Sequence, residues 1–172
     1  KIGKLIYANL ITSHGLALKK EYKNNWRSNL KKSPKGVYEV ISIHWIDLIN
    51  FHFNIDDIEK PKLLNRSGVG NSFDTSLVEI KTPDSSLVNV FSTYNSAYSK
   101  RLFFLFKNGI IEQIDDILNI RGPAMNFDKR GLFKKPKLIE SYKINENNDY
   151  NNSLEKSVDF FLSKVKRKEF FN

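Results

Sequence analysis

The sequence has no cysteine, which excludes a disulfide framework and any thiolate-held zinc or iron–sulfur site. A reducing cytoplasm fits that absence, and a cytoplasmic location is expected. No apolar run approaches the roughly 18 residues of a membrane-spanning helix, and residues 1–10 are too short and too polar for a secretory leader; no membrane partner is expected. Acids are in the minority, with 19 Asp and Glu against 28 Lys and Arg, a formal charge of +9 and a pI near 9.6. A Gly-rich phosphate loop, a nucleophile elbow and an H-N-H constellation are all missing. The 3 histidines, His14, His44 and His52, do not have metal-ligand spacing, and His44 and His52 read as core or surface-edge groups of an apolar segment. The chain opens on Lys rather than Met, so residues are expected to be missing from the natural N-terminus.

What is present is enough for one domain. The 172 residues are 40% hydrophobic and 13% aromatic, sufficient for a real core and too apolar for a disordered basic tail. The charge favours a polyanionic partner, nucleic acid before an anionic surface.

Residues 1–30 read as helical, with Leu5, Ile6, Asn9 and Leu10 on one face and Leu16, Leu18, Tyr22, Trp26 and Leu30 following at near-helical spacing. Ser33-Pro34-Lys35-Gly36 breaks the pattern. Residues 37–57 mix strand and helix periods, and the spacing of Ile41, Trp45, Leu48 and Ile49 predicts a buried helix. Residues 76–81 and 88–93 are predicted strands, and the strands 101–106 and 110–114 flank Asn108-Gly109, a favoured hairpin turn. Asp115-Asp116 should start a short helix that Gly122-Pro123 ends. Ser153 should cap a last helix, docked on its own domain through Leu154, Val158, Phe161, Leu162 and Val165.

The chemistry concentrates around residues 74–83. On a strand, Glu79 and Lys81 share one face while Val78 and Ile80 point into the core. Alone, such a pair is an exposed ion pair worth less than about 1 kcal/mol. With Asp74 upstream in a basic protein it is also the set that hydrolyses a phosphodiester with magnesium. Two carboxylates hold the hard cation, the cation polarises the phosphate and acidifies a bound water, and the lysine works on that water and the developing charge.

The pattern resembles the PD-(D/E)xK nuclease superfamily, and within it the PvuII-type type II restriction endonucleases. Those carry E-L-K, nine residues, then F-S-T; here Glu79-Ile80-Lys81 is followed after nine residues by Phe91-Ser92-Thr93. Gly70-Asn71 and the segment 109–114 (G-I-I-E-Q-I) extend the resemblance over about residues 68–118. The family acid follows Gly-Asn directly, where this chain has Ser72; Asp74 lies two places later. If Asp74 cannot reach, Asp56, Asp57 or Glu59 would complete the site.

The resemblance implies a mixed α/β fold (α+β) with a restriction-endonuclease-like core, a central mixed β-sheet flanked by helices and a helical N-terminal region. It implies Mg2+ as cofactor, Asp74 and Glu79 as metal ligands and Asp74, Glu79 and Lys81 as the catalytic set. Ser92, Thr93, Tyr94 and Asn95 would face a groove of double-stranded DNA, with Lys100, Arg101, Arg121, Lys129 and Arg130 on phosphates. A homodimer is implied, because one site per subunit must cut both strands. The domain reading is 1–57 helical and dimerising, 58–137 the nuclease core, and 138–172 a loop and helix packed on the same domain. The expected function is sequence-specific Mg2+-dependent hydrolysis of DNA. The alternatives are a non-sequence-specific defence or repair nuclease, such as the Shedu-like group with its V-E-I-K-T-P strand, and a non-catalytic basic nucleic-acid-binding module.

Overall fold

The computed structural model describes residues 2–123 and 127–167. It has a mixed α/β fold with a central mixed sheet and few helices. Strand β1 (Leu5–Ser13) occupies the segment expected to be helical. Ala8 and Leu10 are buried while Tyr7, Asn9 and Ile11 between them are partly exposed, a period of two. Local spacing fits either period; the strand forms because β1 is bonded on both sides, to β5 and to β6, partners far away in sequence.

Three short 3-10 turns follow, Gly15–Leu18, Lys20–Asn24 and Trp26–Ser28. A π-helical turn (Tyr38–Ser42) then leads into helix α1 (Ile43–Phe53), where the sequence predicted a helix. The remaining strands are β2 (Asp57–Ile58), β3 (Lys62–Leu64), β4 (Thr75–Lys81), β5 (Leu87–Thr93), β6 (Ser99–Phe106), β7 (Gly109–Ile114), β8 (Ile117–Arg121) and β9 (Leu138–Lys143). Helix α2 (Glu146–Lys166) closes the described chain.

The sheet runs β2-β4-β5-β1-β6-β7-β8-β9, with β3 also paired to β4. Among the described strands one pair is parallel, β1 with β5, in the register Tyr7↔Leu87 to Ser13↔Thr93. Helix α1 covers one face, laying Ile46 and Ile49 against Ala8, Leu10, Val78, Ile80, Val88 and Val90. Each fully buried aliphatic side chain of this set contributes about 1.5–3 kcal/mol of transfer free energy. The other face bears Lys81, Leu87, Ile114 and Ile117, all exposed.

A tight hairpin joins β6 to β7 as expected, but its two turn residues are Lys107-Asn108, and Gly109 opens β7 opposite Phe106. Asp115-Asp116 is a second tight turn rather than a helix start. Asp115 adopts φ 52°, a left-handed conformation Asp tolerates, and Ile114 pairs with Ile117 across the turn. Helix α2 begins earlier than Ser153, at the Asn145 cap, and Leu154, Val158, Phe160, Phe161, Leu162 and Val165 stand exposed along it.

Candidate active site at the carboxyl edge of the parallel strands

The residues singled out by sequence do not converge. Val78 and Ile80 are buried, and Glu79 and Lys81 share the opposite face of β4. Glu79 is 3.8 Å from Lys62 Nζ, and Lys81 Nζ is 3.8 Å from Glu59 Oε1. Both pairs are solvent-exposed and contribute little to stability. Asp74 is fully buried just before β4. Five residues of extended chain, at about 3.3 Å each, separate it from Glu79, roughly 16 Å where a shared cation needs a few ångströms. Among the described residues no group of three His, Asp or Glu side chains could hold a metal ion, so Asp56, Asp57 and Glu59 do not complete such a site either.

Asp74 instead organises its own loop. Its Oδ1 accepts from Arg66 N at 2.9 Å and Thr75 Oγ1 at 2.8 Å, and its Oδ2 from Ser67 N at 2.7 Å. Burial pushes the carboxyl up, but these hydrogen bonds outweigh it and hold Asp74 below its usual range.

The residues expected on DNA are dispersed. Ser92, Thr93 and Tyr94 are buried, and Asn95 N donates to Thr93 Oγ1. Lys100 lies over the Trp45 ring at 5.8 Å, and Arg121 Nε donates to Glu112 at 2.9 Å. Arg101 pairs with Ile11 on the face opposite α1, and Lys129 and Arg130 sit in an exposed turn closed by Asp128.

A different set converges where β1 and β5 end. The two strands run out at one edge, at Ser13 and Thr93, where antiparallel β4 and β6 begin. His14 N donates to Thr93 O at 3.0 Å and Ala17 N to Tyr94 O at 2.8 Å, which starts the chain back over that edge. Gly36, at φ 56°, lets this return segment press on residue 73; a Cβ there would lie 1.8 Å from Phe73 O. Ser42 reaches Ser76 Oγ at 2.9 Å and Ser92 Oγ at 3.0 Å, so three small hydroxyls fasten the start of α1 to the sheet. In open α/β sheets ligands sit outside the carboxyl ends of parallel strands.

Two clefts of ligand size adjoin the edge. On the α1 side, about 600 Å³ is lined by Thr12, His44, Trp45, Tyr98, Lys100 and Tyr150. Trp45 Nε1 donates to Thr12 Oγ1 at 2.9 Å, which fixes the indole, and His44 is exposed on the first turn of α1. On the open face, about 640 Å³ is lined by residues that include Lys62, Arg66, Thr75, Phe91 and Thr93.

Beneath the return segment, Tyr22 and Tyr94 pack edge to face, centroids 6.2 Å apart, with both hydroxyls buried and without a hydrogen-bond partner. Burial, reinforced by the charge of Asp74, pushes the Tyr22 phenol up to about 12, and burial also raises Tyr94. Burial and the nearby Arg27 guanidinium lower His14, and its Nδ1 accepts from Leu16 N at 3.4 Å.

Sequence reasoning missed His44, Tyr22 and Arg27. His44 carried a signal: Ile46 and Ile49 fix the buried stripe of α1, which leaves position 44 off it. Tyr22 and Arg27 carried none, because a 3-10 run has no periodic signature of its own.

No known family's sequence profile matches the chain. No curated protein matches it in sequence. Solved structures do match its fold. A levoglucosan dehydrogenase in complex with NADH and levoglucosan superposes with a TM-score of 0.64 at 15% identity, over 78% of this chain and 44% of its own. An oxidoreductase of Desulfitobacterium hafniense described as NADPH-dependent gives 0.65 at 14% identity, over 84% and 42%. A dehydrogenase of Clostridium difficile gives 0.51 at 16%, over 69% and 36%. The chain thus spans about two fifths of the length of the structures it matches.

These matches overturn the nuclease expectation. The neighbours are NAD(P)-linked oxidoreductases and not PD-(D/E)xK enzymes, so the restriction-endonuclease core, the Mg2+-dependent endonuclease activity and the partnership with double-stranded DNA as a homodimer are all withdrawn. Mg2+ is withdrawn as cofactor for a second reason, the absence of any metal-holding group among the described residues. The E-x-K to F-S-T register has a simpler cause: Glu79-Ile80-Lys81 and Phe91-Ser92-Thr93 are neighbouring antiparallel strands on a short turn. Of the location, the structure shows that no described helix is long and apolar enough to cross a membrane.

Proposed function

We propose that this chain is the substrate-side domain of a nicotinamide-dependent oxidoreductase acting on small polyhydroxylated compounds. The observation that carries the reading is the fold, matched over 78% of the chain by a dehydrogenase solved with NADH and levoglucosan. The cleft at the carboxyl edge of β1 and β5 supports it.

The residues here do not themselves fit a dinucleotide. Its usual seat is a doubly wound parallel sheet with a glycine-rich turn opening a helix, whereas this sheet has one parallel pair. Where Gly36 and Gly70 lack a Cβ, the space is filled by the chain's own Phe73 and Ser28 backbone rather than left for a pyrophosphate. Nucleotide binding therefore belongs to a unit outside these residues, and no step through it is assigned to them.

What this chain supplies is the substrate's surroundings. The Trp45 indole, held by Thr12, offers an apolar wall for a sugar-like ring. His44, exposed on the first turn of α1 and lining the cleft, is placed to take a proton from, or return it to, a substrate hydroxyl. A positioned acid–base group of this kind contributes about 10²–10⁴-fold. The test is the full-length protein with NAD+ or NADP+ and levoglucosan or related polyols, followed by nicotinamide absorbance. His44→Asn should lower kcat by about that factor; a variant as active as the wild type would overturn the assignment of His44.

A further inference from the structure

The face of the sheet turned away from α1 carries an ordered row of side chains. Strand register sets Lys62, Leu77, Phe91, Ile11 and Arg101 next to one another across β3, β4, β5, β1 and β6. All five share this face, because Val78, Val90 and Leu10, their chain neighbours, point into the core. The row therefore reads cation, three apolar groups, cation. Leu77, Phe91 and Ile11 stay partly exposed in the middle of the sheet, and Leu64 beside them is 41% exposed.

The apolar trio lines the open-face cleft of about 640 Å³, whose lining includes two cations, Lys62 and Arg66, and no acid. Lys62 has one exposed partner, Glu79, at 3.8 Å. Among the described residues no carboxylate pairs with the Arg66 side chain. Asp74, which accepts from the Arg66 backbone, is buried and already engaged by Ser67 and Thr75. The hydroxyls along the strand ends are engaged as well. Thr75 Oγ1 donates to Asp74 and meets Thr93 Oγ1 at 2.8 Å, and Thr93 accepts from Asn95 N. Recognition in this cleft thus falls to its apolar floor and its two cations. It shares no lining residue with the cleft that holds His44.

We infer that this cleft is a second ligand site, for a planar aromatic ring that carries an anionic group, a carboxylate or a phosphate monoester. The ring lies on Phe91, Leu77 and Ile11, and its arrival takes their exposed surface out of water. The anionic group sits at the β3 end, where the guanidinium of Arg66 and the ammonium of Lys62 supply charged donors. A cleft of this volume admits a small aromatic acid whole.

The experiment is a calorimetric titration of the full-length protein with benzoate and with phenyl phosphate. Benzamide serves as the ring without charge, and acetate and inorganic phosphate as anions without a ring. One or both aromatic anions should bind, the tighter naming the anionic group, and the three controls should bind at least about 10-fold more weakly. Arg66→Met keeps the stem and removes the charge. It should weaken the tighter probe about 10–100-fold, the loss of one hydrogen-bonded charge, and Arg66→Lys should recover part of that. Arg66 is exposed, so both variants should melt with the wild type, which separates lost binding from lost fold. Phe91→Thr, still a strand-forming residue, should weaken the same probe about 3–10-fold by removing the ring contact. His44→Asn, across the sheet, should leave the affinity unchanged. Three results would overturn the inference: no binding of either aromatic anion at millimolar concentration, equal binding of benzamide, or binding that survives Arg66→Met and is lost in His44→Asn.

Discussion

Ser42 Oγ donates to Ser92 Oγ at 3.0 Å inside the protein, tying the last residue before α1 to the carboxyl end of β5 on its buried face. Both residues are fully buried, as is Ser76, the third member of the cluster. The arrangement places His44 and Trp45, two and three residues further on, at the mouth of the edge cleft. Ser42→Ala should therefore cost about 1–3 kcal/mol, since it leaves two buried hydroxyls short of a partner. Urea unfolding would show this as a lower midpoint with an unchanged slope.

Gly36 and Gly68 both have positive φ, but only one is crowded. A Cβ on Gly36 would lie 1.8 Å from Phe73 O, whereas one on Gly68 meets nothing within 4 Å. Gly68→Ala should cost about 1–2 kcal/mol, the price of a left-handed alanine. Gly36→Ala adds a backbone clash and should be among the most destabilising single changes, above about 4 kcal/mol. Thermal melts of the two variants side by side check the order.

Asp74 makes the protein acid-sensitive in a defined direction. Burial raises its carboxyl, the bonds from Ser67, Arg66 and Thr75 lower it further than that, and the net value lies below the ordinary 3.8. A group depressed on folding contributes stability above its unfolded value and loses it as pH falls through the folded one. Wild-type stability should thus decline below about pH 4, while Asp74→Asn, less stable by about 1–3 kcal/mol at neutral pH, should show a shallower acid limb. Unfolding curves from pH 2 to 7 decide it.

Lys81 and Glu79 should tolerate replacement. Their partners, Glu59 and Lys62, are 3.8 Å away on the exposed face, and such pairs are worth about 0–1 kcal/mol. Glu79→Gln and Lys81→Met should leave the melting temperature and nicotinamide-linked turnover close to wild type.

Strands with local partners were legible in the sequence. The alternation of residues 76–81 and the hairpin signal of Asn108-Gly109, one residue past the actual turn at Lys107-Asn108, led to β4, β6 and β7. Helix α1 was legible from the spacing of Ile41, Trp45, Leu48 and Ile49. Residues 5–13 were not, because their identity as a strand depends on β5 and β6, more than 70 residues away. Asp115 misled for a local reason: Asp both caps helices and accepts the left-handed turn it adopts here. The site was less legible than the fold. Glu79 and Lys81 do share a face, as their two-residue spacing requires, but spacing could not reveal that Asp74 is buried at the far end of the strand. The cleft joins positions 12, 44, 45, 98 and 100, which the pairing of β1 with β6 and the packing of α1 on the sheet bring together from distant parts of the chain.

The most direct test of the account is turnover by the full-length protein. Mixed with NAD+ or NADP+ and a panel of polyols, aldonates and sugar phosphates, it should produce reduced nicotinamide with at least one of them, and His44→Asn should suppress that signal. A correctly folded protein that reduces neither nucleotide with any member of the panel, yet cuts plasmid DNA when given Mg2+, would contradict it.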